Sequence, residues 1–232
     1  MNNCRIKSVL FDLDGTLVDS AEDLTSALNS LLKIRHIPTL PTSQTRAFAG
    51  RGSKGLLKIG LNIDDNHPDF LELSTEFFEH YQIHLIETTQ LFSGMPQVLH
   101  SLKKKNIPWG IVTNKPQRFT DVLVKHIPLL QQAKCIVSGD TLEKRKPHPD
   151  PILYACRLLN QTPADCLYIG DAEVDIVASN AAGTHSLVAL YGYIPAEEEP
   201  FNWNADGYIQ HPLDILEWLR DPEVYTSHSL WR

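Results

Sequence analysis

The sequence predicts an α/β fold, a doubly wound parallel sheet with a small all-α domain inserted after the first strand. Short apolar runs that end at a polar residue or a glycine alternate with helical patterns along most of the chain, as in parallel βα units. Between residues 20 and 90 this alternation stops, and helical patterns without a convincing strand replace it. With 232 residues, 42% of them hydrophobic, the chain can bury a core and a smaller second domain.

The predicted elements follow from these patterns. The first apolar run, residues 6–11, ends at two aspartates and a glycine, which indicates a buried strand that opens into a loop. Further strands are predicted at 109–112, 135–137, 167–169 and 186–190. Helices between them are predicted at about 95–105, 116–127, 149–159 and 173–182.

The inserted stretch begins with a capping-box-like sequence, Ser20 to Asp23, followed by leucines at helical spacing. A second helical pattern covers residues 70–81, and prolines and glycines punctuate the interval. We therefore expect the α/β core to comprise residues 1–17 and 91–232, and the helical domain to comprise residues 18–90.

Composition excludes several classes of protein. The formal net charge of −7 argues against nucleic acid or an anionic membrane surface as a partner. No apolar run approaches the ~20 residues of a membrane span, and Asp12 and Asp14 interrupt the N-terminal apolar run, so we expect a cytoplasmic protein. The cysteines lack CxxC spacing, which predicts buried reduced thiols; they are Cys4, Cys135, Cys156 and Cys166.

Polar residues follow the predicted strands at the end where open α/β sheets bind ligands. The first strand is followed by Asp12 and Asp14, and a later one by Asp171 and Asp175. Another strand is followed by Thr113 and Asn114, and Lys146 precedes a proline in the next loop.

The four aspartates carry a formal charge of −4, to which Lys146 returns only +1. Such a cluster requires a divalent cation or a protonated carboxyl group. All-oxygen ligands favour a hard ion, and Mg²⁺ is the expected cofactor. With Mg²⁺ and Lys146 the site could receive a dianionic phosphate if one aspartate keeps its proton, as a general acid must.

These segments, Asp12-Leu-Asp-Gly-Thr16, Thr113, Lys146-Pro-His-Pro and Gly170-Asp171 with Asp175, resemble in order the four motifs of the haloacid dehalogenase superfamily. The insertion resembles that superfamily's cap domain. The resemblance implies that Asp12 is a nucleophile forming an aspartyl phosphate and that Asp14 is the acid and base. It also implies that Asp12, the Asp14 backbone carbonyl and Asp171 hold Mg²⁺ with support from Asp175. Thr113 and the Asn114 backbone N–H would bind phosphoryl oxygens, and Lys146 would neutralise charge on the nucleophile and the phosphate.

The segment 49–53 resembles the cap's substrate-specificity loop, which implies that Arg51 and Gly52 bind substrate, with Arg51 on a carboxylate and Lys54 adding charge. A glycine-rich turn with solvated bases is the alternative. Within the superfamily the chain resembles the phosphoglycolate phosphatase family. Its residues 109–119, 191–194 and 202–206 resemble the branch that dephosphorylates N-acetylmuramic acid 6-phosphate.

Both substrates carry a phosphate monoester and a carboxylate, so the sequence leaves the choice open. A sugar-phosphate mutase of the same fold and a non-catalytic binding module also remain alternatives. A dehalogenase would not need Asp14, and a phosphonate hydrolase would need a cap lysine such as Lys54. We expect a small-molecule phosphate monoester as ligand and a monomer or homodimer.

Overall fold

A computed structural model of the chain describes residues 6–219. Its main sheet has six strands in the order β5-β4-β1-β6-β7-β8, and every neighbouring pair is parallel. A separate antiparallel pair joins β2 to β3. The strands are β1 (Ser8–Phe11), β2 (Val18–Asp19), β3 (Gln90–Leu91), β4 (Trp109–Val112), β5 (Cys135–Val137), β6 (Cys166–Gly170), β7 (His185–Ala189) and β8 (Gly207–Ile209).

The α/β prediction is confirmed, and the strands predicted at 6–11, 109–112, 135–137, 167–169 and 186–190 correspond to β1, β4, β5, β6 and β7. Strand β8 has no counterpart among the strands predicted from the sequence. This strand has only three residues and lies at the edge of the sheet beside β7, so it carries too few positions for a recognisable apolar pattern.

The helices alternate with the core strands. Those predicted at 95–105, 116–127, 149–159 and 173–182 are confirmed as α5 to α8, with ends that differ by no more than a residue. The helices are α1 (Ala21–Ile34), α2 (Thr42–Ala49), α3 (Gly52–Leu61), α4 (Phe70–His84), α5 (Met95–Lys104), α6 (Gln117–His126), α7 (Asp150–Leu158), α8 (Glu173–Ala182) and α9 (Ile215–Trp218).

Strand β1 is buried throughout because both faces of the sheet are covered. Val9 and Phe11 belong to the larger apolar cluster, whereas Leu10 packs in a second cluster that also contains Tyr168 and Cys156. Cys135, Cys156 and Cys166 are free and buried, as predicted, and Cys4 lies outside the described residues. No helix within residues 6–219 is long and apolar enough to cross a membrane.

Helices α1 to α4 occupy the stretch between β2 and β3. Leu28 and Leu31 on α1 are fully buried, as is Phe77 on α4, so the apolar faces of these helices pack together. Val18 pairs with Leu91 where the chain leaves and re-enters the core. The helical content predicted for this stretch is present. Its status as a separate cap domain with the bounds 18–90 remains a prediction.

Candidate functional site

The candidate site lies at the carboxyl ends of the central strands. Asp12, Thr113 and Asp171 directly follow β1, β4 and β6, which are neighbours in the sheet. Since these strands are parallel, their ends meet at one edge, and the Asp12 N–H donates to the carbonyl of Ile169 in β6 at 2.9 Å. Strand order therefore brings together residues that are more than 150 positions apart in the sequence.

Three of the predicted aspartates form one acidic cluster. Asp12, Asp171 and Asp175 each direct a carboxylate oxygen to a common region, within 4.8 Å of one another. Asp171 and Asp175 are buried. Asp171 accepts from the Thr16 hydroxyl at 2.8 Å and from the Tyr193 backbone N–H at 2.7 Å, which fixes its orientation.

Asp175 lies in the first turn of α8, where it has two functions. Its Oδ2 accepts the backbone N–H of Ala172 at 3.1 Å and so caps the helix. Its Oδ1 accepts from Lys146 Nζ at 2.6 Å and from the Tyr168 hydroxyl at 2.9 Å. Asp175 therefore both caps α8 and contacts the lysine of the acidic cluster.

Lys146 is the cation at the centre of the cluster, and it is buried. Its Nζ lies 2.8 Å from Asp12 Oδ1, 2.9 Å from the Val112 carbonyl and 2.9 Å from the Tyr168 hydroxyl. The Asn114 side chain bonds both the backbone N–H and the carbonyl of Lys146, at 3.1 and 3.0 Å. Asn114 thus holds the loop that delivers Lys146 to the strand ends.

Burial and the neighbouring charges shift the pKa values of the cluster, which holds three carboxylates and one lysine. Burial raises the pKa of Asp12 to about 6, although the charge of Lys146 acts to lower it. Burial, with the charges of Asp12 and Asp175, holds the pKa of Asp171 well above its usual range. Burial by itself would lower the pKa of Lys146, but the charges of Asp12 and Asp175 outweigh it and raise the pKa. Oxygen donors with an excess of negative charge are suited to a hard divalent cation.

Two glycines allow the backbone to pack directly against Asp171. Gly15 has a φ of +85°, and a Cβ there would overlap the Asp171 carboxylate. A Cβ at Gly192 would also overlap the Asp171 side chain. Neither position accepts a larger side chain unless this carboxylate moves, so both glycines define the geometry of the acidic cluster.

Asp14 lies beside the cluster and has a lysine of its own. Lys115 Nζ lies 3.0 and 2.9 Å from the two Asp14 oxygens, and the Ser20 hydroxyl donates to Asp14 at 2.5 Å. Lys115 is buried and also donates to the Tyr81 hydroxyl of α4 at 2.8 Å. Lys115 is not among the site residues predicted from the sequence, although its position directly after Asn114 at the end of β4 is a usable signal. With this second lysine, the four aspartates and two lysines carry a formal charge of −2.

Two tyrosines of the site have no clear signal in the sequence. Tyr168 lies within the predicted strand 167–169 and is buried, and its hydroxyl contacts Lys146 and Asp175. Tyr193 donates its backbone N–H to Asp171, and its hydroxyl accepts the backbone N–H of Ser20 at 2.7 Å. Tyr193 therefore links the acidic cluster to the start of the inserted helices.

The turn between α2 and α3 lies against the site through its backbone. An added Cβ at Gly50 would lie 3.7 Å from Asp171 Oδ2 and 3.4 Å from Tyr193 Cβ.

The Arg51 side chain, in contrast, is 44% exposed and forms an ion pair with Glu198. Gly52 begins α3 with a φ of +58° and has open space around it. The exposed Lys54 pairs with Asp65 at 2.6 Å. The roles predicted for Arg51 and Gly52 remain predictions.

Comparison with known proteins agrees with this arrangement. The family described as haloacid dehalogenase-like hydrolase matches residues 9–189. An N-acetylmuramic acid 6-phosphate phosphatase of Pseudomonas putida is 35% identical over 91% of this chain and 95% of its own length. A phosphoglycolate phosphatase of Xanthomonas campestris is 36% identical over the same shares. A crystal structure from Haemophilus somnus, titled a predicted phosphoglycolate phosphatase, aligns with a TM-score of 0.80 and 26% identity over 94% of this chain and 99% of that one.

Proposed function

The chain belongs to the haloacid dehalogenase-like hydrolases, and on this premise we propose that it is a Mg²⁺-dependent phosphatase that hydrolyses a small phosphate monoester through an aspartyl phosphate. The observation that carries the proposal is the acidic cluster of Asp12, Asp171 and Asp175, with Lys146 in contact with two of its members. The phosphatase names of the relatives support the same class of reaction.

The donor set of the cluster fits Mg²⁺, because it consists of carboxylates with more negative charge than the neighbouring lysine supplies. We propose that Asp12, Asp171 and the Asp14 backbone carbonyl hold the ion, with Asp175 in support. When bound, Mg²⁺ supplies positive charge that stabilises the negative charge of the phosphoryl group.

In the proposed reaction the Asp12 carboxylate attacks phosphorus, and the bond between phosphorus and the ester oxygen breaks. Asp14 gives its proton to the departing oxygen and later removes one from the water that attacks the aspartyl phosphate. That second attack releases phosphate and restores Asp12. Lys115 and Ser20 orient Asp14, and Lys146 offsets charge on Asp12.

Thr113 and Asn114 complete the proposed phosphate site. The Thr113 hydroxyl accepts the Lys115 backbone N–H at 3.2 Å, which leaves its own hydrogen to donate to a phosphoryl oxygen. The Asn114 side chain is engaged with the Lys146 backbone, so the backbone N–H of Asn114 is the group we assign to the phosphate.

We propose 2-phosphoglycolate as the substrate and N-acetylmuramic acid 6-phosphate as the second candidate. The burial of the groups around Asp14 favours the first: its side chain is 15% exposed, and Lys115 and Tyr81 beside it are buried. The names of two relatives, from Pseudomonas putida and Pseudomonas aeruginosa, favour the second. A cytoplasmic location and a monomeric or dimeric state remain predictions of the sequence.

The test is hydrolysis of 2-phosphoglycolate, N-acetylmuramic acid 6-phosphate and p-nitrophenyl phosphate by the wild type, with Mg²⁺ and with EDTA. Asp12→Asn should abolish turnover of every substrate and keep the cooperative unfolding of the wild type. Asp121→Asn, at an exposed aspartate on α6, is the matched control and should retain activity. Turnover by Asp12→Asn at the wild-type rate would refute the mechanism.

A further inference from the structure

Lys115 is a buried cation whose contacts span the core and the inserted helices. The side chain is 5% exposed, and its Nζ contacts both Asp14 oxygens and the Tyr81 hydroxyl. Lys115 comes from the end of β4, whereas Tyr81 comes from α4. The ammonium group therefore lies where the two parts of the molecule meet.

The Tyr81 hydroxyl has unused hydrogen-bonding capacity. Tyr81 is 1% exposed, and its ring packs against Phe119 with a centroid distance of 5.1 Å and against Phe77 at 6.3 Å, which fixes its position. Its oxygen accepts from Lys115, and within residues 6–219 its own hydrogen has no acceptor. A buried hydroxyl with a free hydrogen points to a ligand that brings an acceptor.

The proposed reaction brings such a ligand to this place. Asp14 protonates the leaving oxygen, so that oxygen must approach the carboxyl group that Lys115 now contacts. Groups attached to the leaving oxygen then lie within reach of Lys115 and Tyr81. A buried ammonium that gives up contact with Asp14 needs another acceptor, because a buried charge without a partner is unfavourable.

The other cations near the turn between α2 and α3 are engaged elsewhere. Arg51 pairs with Glu198 and Lys54 pairs with Asp65, both at exposed positions. Arg46 pairs with Asp19 at 2.9 Å and lies over the Tyr193 ring. Within the described part of the chain, Lys115 is the cation in contact with Asp14.

We propose that Lys115 and Tyr81 form the binding subsite for a carboxylate carried by the leaving alcohol, one carbon from the ester oxygen. The inference rests on the proposed phosphatase function and narrows its substrate to the phosphate monoesters of small 2-hydroxy acids. The amino-sugar phosphate carries its carboxylate many bonds from the phosphate and does not meet this requirement.

The first test needs no variant. It compares kcat/KM of the wild type for 2-phosphoglycolate and for 2-hydroxyethyl phosphate, which replaces the carboxylate with a neutral hydroxymethyl group. The subsite predicts a preference of about tenfold or more for 2-phosphoglycolate, the ratio expected from one charge-assisted hydrogen bond. Equal values for the two esters would overturn the proposal.

The second test uses variants. Lys115→Met should bring the ratio of the two kcat/KM values close to one, and Tyr81→Phe should lower it by a smaller factor. Lys7→Met, at an exposed lysine paired with Asp165, is the control and should keep the wild-type ratio. If Lys115→Met lowers hydrolysis of both esters by the same factor, Lys115 only positions Asp14, and the subsite is refuted while the phosphatase function stands.

A binding measurement separates this inference from the proposed function. Calorimetry with Asp12→Asn and Mg²⁺ should show tighter binding of 2-phosphoglycolate than of 2-hydroxyethyl phosphate, and Lys115→Met in the same background should remove the difference. This result would support the subsite even if the wild type hydrolysed no phosphate ester, in which case the proposed function alone would fail. Equal affinities in Asp12→Asn would overturn the subsite.

Discussion

Replacement of Lys146 by methionine should destabilise the metal-free protein strongly, because Lys146 is the cation that the acidic cluster encloses. Its side chain is 2% exposed, and its Nζ contacts Asp12 at 2.8 Å and Asp175 at 2.6 Å. Methionine has a similar length and is apolar, so Lys146→Met removes the charge with little change of volume. The partly exposed Asp12 and the buried Asp175 would then lose their counter-ion.

Loss of one partner from a buried ion pair costs about 3–5 kcal/mol, because the remaining charge is desolvated without compensation. For a chain of this size, about 2–4 °C of unfolding midpoint corresponds to 1 kcal/mol, so we expect a decrease of about 6–20 °C. The assay is thermal unfolding at pH 7.5 in EDTA, complemented by urea denaturation to obtain the free energy of unfolding.

The control for this prediction is Lys7→Met, which removes an exposed lysine paired with Asp165 and should leave the midpoint unchanged within error. The loss caused by Lys146→Met should shrink at pH 5, since Asp12, whose pKa is raised to about 6, is then largely protonated and needs less compensation. A loss of less than about 1 kcal/mol at pH 7.5 would refute the view that Lys146 compensates the buried carboxylates.

Three further predictions concern the cation and the acid. The folded-state pKa of Asp12 is raised to about 6, so protonation of Asp12 stabilises the fold below the usual pKa of aspartate, and this stabilisation is lost as the pH rises through about 6. Mg²⁺ should therefore raise the unfolding midpoint more at pH 7.5 than at pH 5. An equal rise at the two pH values would contradict this. Asp14→Asn should lower kcat for alkyl phosphates by about 100-fold or more, and kcat for p-nitrophenyl phosphate by a smaller factor, because a good leaving group needs no proton. Equal losses of kcat for the two kinds of ester would show that Asp14 is not the acid. Gly192→Ala should weaken Mg²⁺ activation about tenfold or more by displacing Asp171, whereas an unchanged Mg²⁺ dependence would show that the carboxylate has room to move.

The local sequence was sufficient to identify the framework of the site. An apolar run marks a buried strand because both of its faces are covered, and the polar residue after the run lies at the carboxyl end by chain direction alone. Asp12, Thr113 and Asp171 were found in this way. Asp175 followed from its place in the first turn of the next helix, which has a fixed pitch.

Contacts between distant segments were not available from these patterns. Strand order decides that β1 lies between β4 and β6, and no local periodicity encodes it. The Lys115 side chain reaches Asp14, 101 positions away, and Tyr81 of α4 meets the same ammonium. Burial patterns predict that Tyr168 is inside, but its hydroxyl direction depends on which polar atoms its neighbours present.

The turn that approaches the acidic cluster shows the same division. The resemblance implied that Arg51 binds substrate, with a glycine-rich turn and solvated bases as the alternative. The structure places the Gly50 backbone against the cluster and pairs Arg51 with Glu198, and a substrate-binding role for Arg51 remains a prediction. A side chain's partner is selected by the charges that the folded chain brings near it. The sequence therefore determined the elements and the residues at their ends, and the tertiary structure decided which cation serves which carboxylate, because only packing sets the distances on which electrostatic attraction and desolvation depend.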